Sequence, residues 1–150
     1  LLYVELSWMR GDTDPAKLRT LLATDEARAE LQPLATLLGG RPTELIEYVG
    51  KMDRDSITHP YVLDVMCASA HSELREPRRA IDLLMSALRE NPGMAGAFKD
   101  LGDQFYMCFE MGAAWDCWEM GRRLDPDHPM FEELERHEAG LRTRMEELFE

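Results

Sequence analysis

The sequence predicts an all-α fold in which antiparallel helix–turn–helix units stack into an α–α superhelix. Apolar residues recur at helical spacing along almost the whole chain of 150 residues, and no run of alternating apolar and polar residues is long enough for a sheet. The one exception is the segment from Leu1 to Trp8, which fits a short strand as well as a truncated helix closed by Gly11. Small residues also return at an interval of 34 positions in the second half of the chain. That interval suits a pair of short helices that repeats along a stack.

The composition is that of one globular domain with a strong acidic bias. Hydrophobic residues make up 45% and charged residues 31% of the chain, which argues against a disordered polypeptide. Acidic residues number 29 against 17 basic ones, for a formal net charge of −12. This charge repels nucleic-acid phosphate and anionic membranes, so neither is expected as a partner. The three cysteines form no CxxC pair, which favours a reducing, cytoplasmic location.

The first 60 residues are predicted to form a helical region with less regular boundaries than the rest. Residues 12–15 join a capping side chain to a proline, as helix starts do, and residues 24–26 begin a second helix. A turn at residues 39–42 precedes a third helix, which frays near Gly50. The polar stretch of residues 53–60 is the best candidate for an internal boundary.

Five further helices are predicted beyond this boundary, short and paired, with tight turns within each pair. The breaks between them carry proline, glycine or a capping residue, as helix boundaries require. The predicted helices span about residues 61–74, 77–90, 95–108, 112–124 and 129–148. The last helix has an apolar side that includes Phe131 and Leu134, and an opposite side dense in glutamate, including Glu132, Glu135 and Glu138. This pattern is typical of a terminal helix that caps a stack.

The 34-residue interval is the most specific signal in the chain. Ala68 matches Gly102, Ala80 matches Ala114, Ala87 matches Gly121, and Pro92 matches Pro126. Two antiparallel helices can cross closely only where small residues line their contact, and each added pair must pack in the same way. The small positions therefore recur at the length of the unit, and the proline ends one unit before the next begins.

A 34-residue helical hairpin with these positions resembles the tetratricopeptide repeat, which has large residues at positions 4, 7, 11 and 24, small ones at 8, 20 and 27, and proline at 32. With residue 95 as position 1, all eight positions are filled as the family requires. They hold Phe98, Leu101, Phe105 and Trp118, then Gly102, Ala114 and Gly121, then Pro126. With residue 61 as position 1 the small residues and the proline fit, but Asp64 and His71 depart from the pattern at positions 4 and 11.

The resemblance divides the chain into three parts of one domain. Residues 61–128 are two repeat units, at 61–94 and 95–128, and residues 129–150 are the C-terminal capping helix. Residues 1–60 are an N-terminal helical region, in which residues 25–52 are either a degenerate third unit or unrelated helices. A generic α-helical bundle with short loops is the alternative to the repeat.

The resemblance also implies a concave groove that holds a peptide, faced by positions 2, 5, 9, 12 and 13 of each unit. These positions hold Val62, Val65, Ser69, Ser72 and Glu73 in the first unit and Gly96, Lys99, Asp103, Tyr106 and Met107 in the second. Apolar contacts at Val62, Val65 and Tyr106 are expected to supply affinity. Charged contacts at Lys99, Asp103 and Glu73 are expected to set specificity. The alternative is that these are ordinary surface residues.

The groove charge favours a basic partner. Some tetratricopeptide domains clamp the terminal carboxylate of a chaperone with Lys and Asn at positions 5 and 9, but here Asp103 follows Lys99 at position 9. A carboxylate ligand would be repelled by Asp103 and Glu73. A protein or peptide that carries Lys or Arg is therefore the expected ligand.

No nucleophile elbow, phosphate loop or dinucleotide fingerprint is present in the sequence, so we expect neither catalysis nor a cofactor. Cys67 and His71 have the i, i+4 spacing of a metal pair, but two ligands do not make a zinc site, so no metal is expected. The alternatives are self-association, for instance a homodimer through Trp115 or a terminal helix, and a regulatory segment of a larger enzyme. The chain begins at Leu1 and ends within a helical pattern, so we expect a piece of a longer protein.

Overall fold

The computed structural model describes residues 40–149 together with Pro33 and Thr36. The helix starts predicted at residues 12–15 and 24–26 lie outside this part, and so does most of the candidate third unit at residues 25–52. The described residues contain helices, turns and bends but no strand, which confirms the predicted all-α class.

Six α-helices and one short 3₁₀ turn make up the described part. They are α1 (Pro42–Gly50), the 3₁₀ turn (Arg54–Ser56), α2 (Pro60–Glu73), α3 (Pro77–Glu90), α4 (Ala95–Met107), α5 (Met111–Leu124) and α6 (Phe131–Phe149). Helices α1, α2 and α3 each begin with a proline, whose fixed backbone angle suits the first helical turn. The predicted bounds of α2 to α6 agree with the observed ones to within about two residues at each end, the usual uncertainty of helix ends.

Successive helices pack against one another along the chain. Close contacts join α1 to α2, α2 to α3, α3 to α4, and α4 to α5. Helices α2 and α3 form a first hairpin, and α4 and α5 form a second, each closed by a three-residue turn. One buried cluster joins residues of α1 and α2, a second spans α2, α3 and α4, and a third joins α4 and α5 to the start of α6. This continuity is what stacked hairpins require.

The small residues lie at the closest helix contacts, as their spacing predicts. Ala80, Ala87 and Ala114 are completely buried. A Cβ atom placed on Gly102 would lie 2.4 Å from the Trp118 ring, and one placed on Gly121 would lie 2.5 Å from the Phe131 ring. Neither position leaves room for a side chain while its neighbour stays in place.

The two hairpin turns share one backbone conformation at an interval of 34 residues. Arg75 and Phe109 both have a positive φ, of 59° and 61° respectively. The N–H of Glu76 donates to the carbonyl of His71 at 2.9 Å, and the N–H of Glu110 donates to the carbonyl of Phe105 at the same distance. A left-handed residue followed by such a bond is the Schellman ending of a helix. The two hairpin turns therefore match in backbone geometry at the same interval at which the small residues recur.

The two residues that depart from the repeat pattern are buried but partnered. Arg54 reaches Asp64 with both terminal nitrogens, Nη1 to Oδ1 at 2.7 Å and Nη2 to Oδ2 at 3.0 Å. The Nδ1 atom of His71 lies 2.7 Å from Oε2 of Glu76 in the hairpin turn. Because both polar groups have partners, α2 can bury them where the repeat calls for large apolar residues.

The capping helix α6 buries the predicted apolar side chains at its start. Phe131 and Leu134 are buried against the second hairpin, and Glu132 and Glu135 are exposed, as expected. Glu138 was expected on the solvent side, but the structure places its carboxylate in a partly buried ion pair with Arg122 of α5. This ion pair stabilises the packing of α6 against α5 of the second hairpin.

Candidate peptide-binding cleft

A cleft of about 240 Å³ opens between α2 and α4 at the predicted groove. It is lined by Ala68, Ser69, Ser72, Glu73, Leu84, Asp100, Asp103 and Gln104. We call it the α2–α4 cleft. Among the predicted groove residues, Ser69, Ser72, Glu73 and Asp103 are brought together here. Helical spacing explains the convergence, because residues three and four apart lie on one face of each helix.

A buried amide joins the two walls of the cleft. The Nε2 atom of Gln104 on α4 donates a hydrogen bond of 2.9 Å to the hydroxyl of Ser72 on α2. Gln104 is buried, while Ser72 is partly exposed. The bond fixes the separation of the helices, so the cleft is formed before any ligand arrives.

Asp103 is held by two donors from the second hairpin. Lys99 places Nζ 2.5 Å from Oδ2, and the indole Nε1 of Trp118 donates to Oδ1 at 3.0 Å. The Lys99 side chain is only 16% exposed. Lys99 is predicted to set specificity together with Asp103 and Glu73, and in the structure its charge is already directed at Asp103.

Asp100 is the most perturbed group in the cleft. Burial raises the pKa of its carboxyl from 3.8 to about 7, the nearby negative charge of Asp103 adds to the rise, and Lys99 opposes it. Asp100 has no hydrogen-bond or ion-pair partner among the described residues. A cation entering the cleft would favour ionised Asp100, because an opposite charge stabilises the carboxylate.

Two predicted groove residues lie in the core instead. Val62 is 3% exposed and Val65 is 4% exposed. Val62 belongs to the buried cluster between α1 and α2, and Val65 belongs to the cluster that spans α2, α3 and α4. Helix α2 has neighbours on both sides, so the positions that were expected to face a ligand are covered. The prediction that these valines offer an open apolar surface is therefore wrong.

The other end of the predicted groove is open and apolar. Tyr106 is 37% exposed and Met107 is 54% exposed, and Phe109 in the following turn is 91% exposed. The Tyr106 ring lies against Trp118, with ring centroids 5.9 Å apart, and edge-on to His137 of α6 at 6.1 Å. Trp115 stands edge-on to Trp118 at 5.2 Å and keeps part of its surface exposed. We call Tyr106, Met107 and Phe109 the apolar shelf.

Sequence reasoning missed Asp100 and Gln104 in the cleft. Both are polar residues of α4, and they lie one helical turn apart, at i and i+4. Asp100 is three positions before Asp103 and so shares a face with a predicted groove residue, and Gln104 lies on the same face as Asp100, one turn later. This spacing was the available signal, but the family pattern drew attention to other positions.

The thiols and histidines in the described part show no arrangement for metal binding. No three or more His, Cys, Asp or Glu residues of residues 40–149 form a group that could hold a metal ion. Burial raises the pKa of the Cys67 thiol to about 11, so it stays protonated at neutral pH. The neighbouring His71 is engaged with Glu76.

Comparison with known proteins adds no identification. No protein-family model matches the chain, and no curated protein matches it. None of the helices in the described part is long and apolar enough to cross a membrane.

Proposed function

We propose that this chain is a non-catalytic interaction domain of tetratricopeptide type, and that it binds a basic segment of a partner protein in the α2–α4 cleft. Two hairpins with matching turns and matching small contacts support the repeat reading. The cleft lies between the first helices of the two hairpins, where the resemblance puts the peptide groove.

The observation that carries the proposal is the charge of the cleft. Three acidic side chains line it: Glu73, Asp103 and Asp100, whose pKa of about 7 leaves it partly protonated at neutral pH until a cation enters. Lys99 pairs with only one of them, Asp103. Glu73 and Asp100 have no ion pair with another described residue. One opposite charge at about 4 Å is worth about 1–4 kcal/mol near a protein surface, so a Lys or Arg side chain is the favoured guest. The net charge of −12 steers basic partners toward the whole domain.

The proposal is tested by fluorescence anisotropy with labelled peptides on the full chain. A ten-residue peptide with alternating Arg and Gly is compared with one in which Glu replaces Arg. We expect only the basic peptide to bind, with affinity that falls as salt is raised. Binding of neither peptide, or equal binding of both, would reject the proposal.

A charge reversal localises the binding. Glu73→Lys should weaken binding of the basic peptide by about tenfold, because it replaces one attractive contact by a repulsive one. Glu73 suits this test better than Asp103, whose carboxylate also holds Lys99 and Trp118. Glu135→Lys on the exposed side of α6 is the matched control, with the same change in net charge. Equal losses in both variants would place binding outside the cleft.

Self-association is a second candidate, favoured by the partly exposed Trp115 and Met111 on α5. They lie one helical turn apart on the same helix face. Light scattering coupled to size-exclusion chromatography tests this candidate. A mass that stays monomeric at every concentration would reject it, whereas a dimer that Trp115→Ser dissociates would favour it over the peptide groove.

A further inference from the structure

We infer that the domain binds a ligand with two anchors. A Lys or Arg side chain enters the α2–α4 cleft, and a large apolar side chain about three residues away covers the apolar shelf. This inference rests on the proposed function, and it specifies the partner. It commits to an extended segment of another protein with one basic and one apolar anchor.

The apolar shelf is an exposed apolar surface that we expect a partner to bury. Its three members stand together at the end of α4 and in the turn that follows, and Phe109 is almost fully exposed. Clustered large apolar side chains are uncommon on a protein surface unless a partner covers them. Backbone hydrogen bonds hold the turn in place, from the N–H of Phe109 to the carbonyl of Tyr106 at 3.0 Å and from the N–H of Glu110 to the carbonyl of Phe105 at 2.9 Å, and in this turn the Phe109 side chain faces solvent.

The shelf is continuous with the acidic cleft along α4. Asp100, Asp103 and Met107 follow one another at intervals of three and four residues, so they lie along one face of the helix. A rise of 1.5 Å per residue separates Asp100 from Met107 by about 10 Å along the axis. An extended peptide advances about 3.3 Å per residue, so the same distance corresponds to about three ligand residues.

Charge complementarity selects a basic ligand over a second copy of this chain. Glu73 in the cleft has no ion pair with another described residue, Asp100 ionises more fully when a cation enters, and the chain has 29 acidic residues against 17 basic ones. Two copies would therefore bring like charges together at this surface. A foreign segment that carries its own cation beside an apolar residue satisfies the cleft and the shelf together.

The test is a spacing series of labelled peptides with one Arg and one Phe in a Gly-Ser background. The separation runs from one to six positions, in both chain orders, and peptides with Arg alone and Phe alone complete the set. Dissociation constants are measured by anisotropy on the full chain. We expect tightest binding at separations of two to four, by about fivefold or more over separations of one and six. A series without that maximum overturns the inference.

A variant pair assigns the apolar contact. Met107→Ser should remove most of the gain that Phe gives at the favoured spacing and leave the affinity of the Arg-only peptide unchanged. Met120→Ser is the control, since Met120 is a similarly exposed methionine on α5. Loss of the Phe gain in both variants, or in neither, would overturn the inference.

The outcomes separate this inference from the proposed function. If every Arg peptide binds alike and Met107→Ser has no effect, the two-part ligand is wrong and the acidic cleft still stands. If the Phe-only peptide binds as tightly as the best two-part peptide, the proposed function fails together with the inference. Absence of binding by every peptide up to millimolar concentration rejects both.

Discussion

The two hairpins have the same backbone design but fill it with different side chains. In α2–α3 and in α4–α5 the turn residue is left-handed, and the same hydrogen bond closes the first helix. The side chains between the helices differ in size and in polarity. The comparison teaches that the two hairpins share their turns and their close helix contacts, and that the side chains between the helices are adjusted to each other within that common backbone.

The two hairpins differ in the size of the side chains at matched positions, where a larger side chain on one helix faces a smaller one on its partner. In the second hairpin Trp118 occupies the position of Leu84 in the first, and Gly102 replaces Ala68 where the larger ring needs room. Outside its own helix, the three atoms nearest to a Cβ on Gly102 belong to α5, and the two nearest of them belong to Trp118. A larger residue in one helix is therefore matched by a smaller residue in the helix that faces it.

The two hairpins also differ in the polarity of two matched buried positions. The first hairpin buries Asp64 and His71 where the second has Phe98 and Phe105. Asp64 depends on Arg54, which lies before the hairpin, so the first unit is tied to the segment in front of it. The second unit has an apolar core at these positions and is tied instead to α6, through Phe131 and the Arg122–Glu138 pair.

The largest expected effect comes from breaking the polar anchor of the first hairpin. Arg54→Ala leaves a buried carboxylate without its cation, and we expect the free energy of unfolding at pH 7 to fall by about 3 kcal/mol. Urea denaturation monitored by circular dichroism measures this change. Arg79→Ala removes an exposed pair with Glu76 and should cost less than about 0.5 kcal/mol.

A double variant sharpens that result. Replacing both partners, with Asp64→Leu and Arg54→Ala together, restores a large apolar residue at position 4 and should recover most of the loss. If Arg54→Ala costs no more than Arg79→Ala, the contrast between a polar first hairpin and an apolar second one has no energetic basis.

The fold was predictable from the sequence to a greater depth than the site. Helix ends are local events set by proline, glycine and capping residues, and small residues such as Ala87 and Gly121 signal a close contact by their interval alone. The partners of Asp64 and Asp103 were not predictable, because Arg54 and Trp118 reach them across turns whose geometry is tertiary. The burial of Val62 likewise depends on how α1 packs against α2.

The next largest expected effect on the free energy of unfolding comes from the matched sizes of residues 102 and 118. Gly102→Ala should lower the free energy of unfolding by about 2 kcal/mol, because the new Cβ would overlap the Trp118 ring. In a Trp118→Leu background, which copies Leu84 of the first hairpin, the same substitution should cost much less, because the 2.4 Å contacts with the ring are gone and only the Ala114 carbonyl at 3.0 Å remains close. Gly112→Ala meets no atom within 4 Å and serves as the control for helix propensity. Equal costs in both backgrounds would contradict the compensation.

The acidic cleft between the hairpins gives a smaller effect that depends on pH. With a pKa of about 7 in the folded state and about 3.8 in the unfolded state, Asp100 keeps its proton on folding up to near neutrality. Its contribution to stability therefore falls as pH rises from about 4 to 7, and it is lowest above pH 7. Asp100→Asn removes this penalty, and we expect a gain of about 1–2 kcal/mol at pH 8 that shrinks toward pH 5.5.

Urea unfolding at both pH values measures the difference. Asp82→Asn, an exposed change on α3 with the same loss of charge, is the control. The charged groups that act on the pKa of Asp100 are Asp103, which raises it, and Lys99, which lowers it, and Glu73 lines the opposite wall of the cleft. A gain that is the same at both pH values, or that is larger at pH 5.5, would show that the carboxyl of Asp100 is ionised in the folded protein throughout.

The smallest expected change in the free energy of unfolding concerns the left-handed turn residue that both hairpins share. Arg75 and Phe109 occupy left-handed C′ positions, which are usually glycine in helices that end this way, and a side chain there costs about 1 kcal/mol. Arg75→Gly and Phe109→Gly should each raise the free energy of unfolding by about 0.5 kcal/mol, after the greater freedom of glycine in the unfolded chain is subtracted. Equal gains would establish the turns as equivalent. A gain at Arg75 with a loss at Phe109 would mean that the phenyl ring stabilises the folded domain. The apolar shelf would then serve stability and would not be a binding surface.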